Sequence, residues 1–530
     1  MLTRAHLATF RLAKRMTSTT LMVGMISSLF IFSGGVVRAD DEIDLSPLIR
    51  RLESPSSGDR VRGLRELVRL KVSGKQARPI LEKLLLDRDA YFRQELVWSI
   101  FELLREDGID LLEKLYNDPD RTVRDSAVRA SCRMWGHERS RALCSTAFED
   151  PDYGVRVEVL NTLRDDFARD PKAVALFRRG LEDVSEVVIR SAILSIQVAR
   201  DGASVKRLGE IAREYSDIAA LPATDEALAT IGTPEAAAVL LSLLPKVEVE
   251  EGMPQRPSEL VRAAAARALG RIGYEQALPE VRKLLRDPSV SVKIGAISAV
   301  TDMRDSRSVD ALIELLKDES TRVRRYTLRA IRNIGDARAA DAVGKMMRED
   351  AEAEVRASAA VALADLVGEK AIPDLLELKG DLDPSVRLEA VGSLAGLGRP
   401  AADALIAFVS DPDAGVRAMS IGGLGQVGGP EQVPALLAAA RDSRSATKEI
   451  RSAVAQALGT IGGSAAIDAL EELAKDAEPG VRKQVATALG RIASENGRET
   501  LEALQRDRSA SVRDAARRAL GRLPADASGN

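Results

Sequence analysis

The sequence predicts an all-α chain, a right-handed α–α superhelix of about 15 helix-pair repeats. Three observations carry this. The 530 residues repeat one pattern with a period near 31. Hydrophobic residues make up 45% of the chain but aromatic residues only 3%, so the core must be built from Ala, Leu, Val and Ile. The apolar positions recur with the spacing of a helix, and Ala and Leu favour helix over sheet.

The period appears when the chain is stacked on its Val-Arg dipeptides. Val61-Arg62, Val123-Arg124, Val155-Arg156, Val261-Arg262, Val323-Arg324, Val355-Arg356, Val386-Arg387, Val416-Arg417, Val481-Arg482 and Val512-Arg513 are joined by Phe92-Arg93, Ile189-Arg190, Val292-Lys293 and Ile450-Arg451. Successive basic residues lie 30 to 34 apart, except for one gap of 72. That gap holds a worn copy, in which Ala227 to Gly232 aligns with Ala268 to Gly273.

Each unit reads as two helices. Ser308 to Lys317 carries apolar residues at Val309, Leu312, Ile313, Leu315 and Leu316. A polar turn then leads to a second helix from about Thr321 to Ile334, which Gly335 ends. Gly232, Gly273, Gly368, Gly398, Gly428 and Gly462 stand at the equivalent place, where a left-handed residue closes a helix. The turn often holds Asp-Pro, as at Asp287-Pro288 and Asp411-Pro412, where Asp is expected to cap the next helix and Pro to fit its first turn. Counted from the Val of Val-Arg, the second helix is apolar at +0, +4, +5, +7, +8 and +11. This broad face suits a helix packed against its own partner and both neighbouring units, and the opposite face centres on +6.

These features resemble the HEAT family, and more closely the short HEAT-like repeats first associated with phycobilisome lyases, over residues 45 to about 523. Ten units place Asp six residues before the basic residue: Asp87/Arg93, Asp118/Arg124, Asp150/Arg156, Asp287/Lys293, Asp318/Arg324, Asp350/Arg356, Asp381/Arg387, Asp411/Arg417, Asp476/Arg482 and Asp507/Arg513. The resemblance implies that they form a structural ladder tying the inter-helix turns together along the stack. A pair that recurs in unit after unit is a structural device rather than a catalytic one.

The first 39 residues differ. Arg4, Arg11, Lys14 and Arg15 form a basic segment without acids, Leu21 to Val37 is almost wholly apolar, and Val37 and Ala39 are small residues where a signal peptidase reads. Residues 1–39 therefore resemble a secretory signal peptide, with an uncleaved membrane anchor at residues 21–37 as the alternative. The expected location is extracytoplasmic. Removing this segment takes five of the 77 basic residues and none of the 80 acidic ones, leaving a net charge of −8, which disfavours nucleic acid as a partner. The remaining chain is expected to comprise repeats over 40–245, an inserted loop at 246–258, repeats over 259–525 and a disordered tail at 526–530.

Other constellations weigh against an enzyme. Gly423-Leu424-Gly425-Gln426-Val427-Gly428 matches a dinucleotide fingerprint but lies at the end of a helix, without the strand that such a site requires. Beyond the leader there is one histidine, His137. Deoxyhypusine hydroxylases, also HEAT-like, hold iron with several His-Glu pairs, whereas this chain has only His137-Glu138. Neither that activity nor chromophore lyase chemistry is carried over, and no cofactor or metal is expected. Cys132 and Cys144 flank one turn. Export makes a bridge chemically possible, but Cys144 aligns with core Val281 while Cys132, at +9, falls near the polar side of its helix.

The expected function is that of a non-catalytic, monomeric scaffold that binds a protein partner. Of 14 aromatic residues beyond the leader, 11 precede residue 216. Trp98 falls at +6, where other units have Arg129, Asn161, Arg267, Ser298, Arg329, Gln456 or Thr487, and Phe101 at +9 would lie beside it. Exposed aromatic anchors are typical of binding hot spots. Arginine pairs at +6 and +10 (Arg129 and Arg133, Arg267 and Arg271, Arg518 and Arg522) read either as solvated surface or as a basic stripe for an anionic partner.

Overall fold

The computed structural model describes residues 44–214, 221–244, 259–442 and 446–523. The expectations for residues 1–39, 246–258 and 526–530 lie outside them. The described residues contain no strand, and none of their helices is long and apolar enough to cross a membrane. They form fifteen short–long helix pairs, from Ser46–Leu52 with Ser57–Arg69 to Arg498–Leu504 with Ala510–Leu520.

Local chemistry sets the ends of each helix. Helix Thr321–Ile334 starts after Ser320 in extended backbone and stops at Gly335, whose φ of 76° and ψ of 25° are left-handed. Gly428 departs from this pattern. With φ −74° and ψ 169° it leaves helix Ala414–Val427 in extended backbone, and the side-chain oxygen of Gln432 then accepts the N–H of Gly429. The Asp-Pro turns also differ from expectation. Asp411 is not the cap of the next helix; its carboxylate accepts the N–H of Asp413, and Asp413 caps the helix by accepting from Gly415 and Val416. Pro412 therefore precedes the helix rather than opening it.

The chain divides into two compact units, Met1–Ala130 and Ser131–Asn530. In both, the second helices of successive pairs pack directly on one another. Within the second unit this row continues from Leu221–Ile231 to Glu259–Ile272, so the chain between them does not interrupt it. Small residues allow the close approach. A Cβ on Gly459 would stand 2.8 Å from the Cα of Ala488, and one on Gly490 would stand 2.8 Å from the Cα of Ala519. The glycines are at +9 and the alanines at +7 of the next unit.

That register corrects two expectations about +9. Cys132 is fully buried, and it is bonded to Cys144 with the two Cα atoms 5.9 Å apart. Phe101 is also buried, at 7% exposure, with its ring edge-on to Trp98 at 6.0 Å and the Arg105 guanidinium 4.5 Å over it. The +9 side of these helices belongs to the core. Several of the other early aromatic residues are core as well: Phe92 and Phe177 are fully buried, and Trp135 and Phe148 nearly so, while Trp98, Tyr116 and Phe167 are half-buried and Tyr91 and Tyr153 are exposed.

Candidate binding face

The turns are held by arginines whose reach differs from the in-unit pairing that the sequence spacing suggested. Arg387 donates through Nη1 to the main-chain carbonyl of Asp381 at 2.8 Å, six residues back. Its Nε and Nη2 grip the carboxylate of Asp411, in the next unit, at 2.8 and 2.9 Å. The same clasp joins Arg93 to Asp118, Arg156 to Asp183, Arg324 to Asp350, Arg356 to Asp381, Arg451 to Asp476 and Arg482 to Asp507. Arg262 reaches Asp287, and Lys293 reaches Asp318. In the first unit Arg60 rather than Arg62 takes the role, pairing with Asp87 at 2.9 Å. Arg124, Arg417 and Arg513 make the backward bond to the carbonyls of Asp118, Asp411 and Asp507. The carbonyl of Asp150 accepts from Arg156 and its carboxylate from the N–H of Asp152.

Burial works against ionisation of Asp381, yet the Arg356 hydrogen bonds and the N–H of Asp383 hold its carboxyl below the ordinary aspartate range. Asp476 is held down in the same way by Arg451 and the N–H of Glu478. These charges are used up inside the fold and fix the spacing of the second helices.

What the second helices present outward is a row of charged side chains with two clefts. Helix Thr321–Ile334 carries Arg322, Arg325, Arg329 and Arg332, spaced three, four and three residues apart, and so along one face. With Tyr326 they wall a cleft of about 520 Å³, which Ala357, Ser358 and Val361 of the next second helix and Glu389 of the one after complete. Arg325 pairs with Glu354 at 2.7 Å, and Arg332 pairs with Asp365. Arg329 lies 4.5 Å over the ring of Tyr326. Among the described residues, no carboxylate pairs with Arg322 or Arg329.

A second cleft of about 230 Å³ lies along the preceding second helices. Its lining includes Asp225, Glu226, Arg267, Arg271, Ser298 and Asp302. Arg271 pairs with Glu226. Asp225 is 1% exposed, and neither of its carboxylate oxygens has a hydrogen-bond partner. Burial pushes this carboxyl up to about 7, against the pull of Arg267 and Arg271. Burial also raises Asp302, which feels both Arg271 and Arg329, so the two clefts adjoin through it.

Of the residues singled out from sequence, Arg267 and Arg271 belong to this face. Trp98 is half-buried, Arg129 half-buried and Arg133 exposed. Arg322, Arg325, Tyr326, Arg332 and Asp225 were not anticipated. A signal existed for each group: five arginines crowd one helix, and Asp225 occupies the apolar +5 position that Ala266 fills in the aligned unit.

The profile for HEAT repeats matches residues 45–132, 109–197, 249–325, 309–380, 372–448 and 443–521. The chain belongs to the HEAT-repeat family. Its fold is similar to that of the karyopherin Kap121p (12% identity, TM-score 0.58), with 90% of this chain and 64% of that chain covered. Kap121p bound to RanGTP is similar over 89% of this chain and 68% of that chain (12% identity, TM-score 0.56). A structure of Kap95p with RanGDP matches over 90% of this chain and 80% of that one (11% identity, TM-score 0.54). The chain spans less than two thirds of the length of that Kap121p chain. At such identities the likeness is one of fold. No curated protein matches in sequence.

Proposed function

We propose that the chain is an exported, non-catalytic, monomeric scaffold that binds a protein partner along its row of second helices. The observation that supports this most is the pair of adjoining clefts, lined wholly by second helices, with two exposed arginines, Arg322 and Arg329, that no carboxylate among the described residues pairs. Elsewhere the arginine clasps pair buried charges, as Arg387 with Asp411. Unsatisfied charges on a rigid repeated surface suit a partner that supplies the complement. Karyopherin structures with RanGTP and with Nup53p are of HEAT-like folds that hold proteins, which accords with this reading. The buried Cys132–Cys144 bridge accords with an oxidising compartment, and the leader-like residues 1–39 with export.

Photo-crosslinkable residues placed beside the clefts and, as a control, on first helices test the reading in the source cells. Crosslinks to one envelope or secreted protein from the cleft positions alone are expected. Crosslinks from first-helix positions only, or a cytoplasmic location of the chain, would reject it.

A further inference from the structure

We infer that the cleft on helix Thr321–Ile334 receives an acidic segment of the partner, and that Arg322 and Arg329 hold two carboxylates of that segment spaced three residues apart. This inference rests on the scaffold reading above and adds the chemistry of the ligand.

The four arginines of the cleft are not equivalent. Arg325 and Arg332 are neutralised locally by Glu354 and Asp365. Arg322 and Arg329 have no such partner among the described residues and both are exposed. Stacking over Tyr326 holds Arg329 in place before any ligand arrives, which lowers the ordering cost of gripping a carboxylate. Seven residues separate the two arginines, a rise of about 10.5 Å along the helix. A polyproline II segment returns to the same side every third residue after about 9.3 Å. Acids three apart on such a segment therefore match the arginine spacing. Across the cleft, Ala357 and Ser358 are short enough to let a peptide backbone approach, and Glu389 sets an acidic limit at the far side.

The same layout disfavours nucleic acid. Duplex DNA carries one charge per about 1.7 Å of its axis, and a backbone following this row would have to pass Glu354, Asp365, Asp302 and Glu389.

The test is fluorescence anisotropy of the full chain with labelled proline-rich peptides. One peptide has two glutamates three residues apart, one has two adjacent glutamates, and one has glutamines in their place; a single-stranded oligonucleotide is the polyanion probe. Saturable binding of the first peptide is expected, weaker for the second and absent for the third. Arg322→Gln and Arg329→Gln should each weaken it about tenfold, with unchanged circular dichroism, while Arg518→Gln, outside the cleft, leaves it unaltered. Equal binding by the arginine variants, no saturable binding of the first peptide, or tighter binding of the oligonucleotide would overturn the inference. If crosslinking still finds a protein partner at the clefts in any of those cases, the scaffold reading stands and only the acidic-segment assignment fails.

Discussion

The Arg387 guanidinium clasps the Asp411 carboxylate, 24 residues further along the chain, while its third nitrogen holds the main-chain carbonyl of Asp381. One side chain thus ties two consecutive turns. The pair is nearly dry, with side-chain exposures of 8% for Arg387 and 1% for Asp411. Removing one member of a buried pair leaves the other charge uncompensated.

Arg387→Ala should therefore cost about 3 kcal/mol or more. Each repeat contacts mainly its neighbours, so the damage should be local. Hydrogen exchange should speed up between residues 372 and 427 and stay unchanged in helices Glu138–Ala147 and Tyr153–Phe167. A uniform loss of protection would contradict the nearest-neighbour picture.

The glycines of the second helices separate two effects. In Gly459→Ala the new methyl would press into the backbone of Ala488, and the variant should be destabilised by about 1 to 3 kcal/mol. Gly422 is in a helix, exposed, with nothing within 4 Å of its would-be Cβ. Gly422→Ala should instead stabilise by up to about 1 kcal/mol. Thermal or chemical denaturation of the two variants checks the opposite signs.

Much of this was legible in the sequence, because a repeat writes each local instruction many times over. Val-Arg marks the second helix, and Gly335 marks its end. What a single helix could not reveal was how far the next helix wraps around it. The face of one helix taken alone puts +9 near solvent, whereas the fold buries Cys132 and Phe101 and packs Gly459 against Ala488 of the next second helix. The clasp was half legible. With Asp six residues before Arg and a period near 31, the carboxylate of the following unit lies about 25 residues downstream, a choice that only the packing resolves. Asp225 was hidden in a worn copy, where departures from the template are expected.

The two kinds of aspartate predict opposite pH effects. Asp381 and Asp476 have lowered folded values, so their contribution is present above the unfolded aspartate pKa near 3.9 and is lost as pH falls through the folded values. Asp225 is raised to about 7, so the folded chain keeps a proton that the unfolded chain releases. Its contribution is present below about pH 4 and lost as pH rises to about 7, by at most on the order of 4 kcal/mol. Asp225→Asn should flatten the neutral side of the stability profile, measured as melting temperature or local exchange between pH 5 and 8, and leave the acid side as it was.

The Cys132–Cys144 bridge closes a short loop, separation 12, within the second unit. Replacing both cysteines by serine should lower stability by up to about 3 kcal/mol. Mass spectrometry after alkylation should show no adduct on the native chain and two after reduction.

The proposed function makes the row of second helices the surface that meets a partner. Hydrogen exchange or hydroxyl-radical footprinting of the full chain, alone and with its crosslink-identified partner, tests it most directly. Protection is expected at Tyr326, the arginines of helix Thr321–Ile334 and the neighbouring Arg267–Arg271 stretch, with first helices such as Val309–Leu315 unchanged. Protection confined to first helices, with that row untouched, would contradict it.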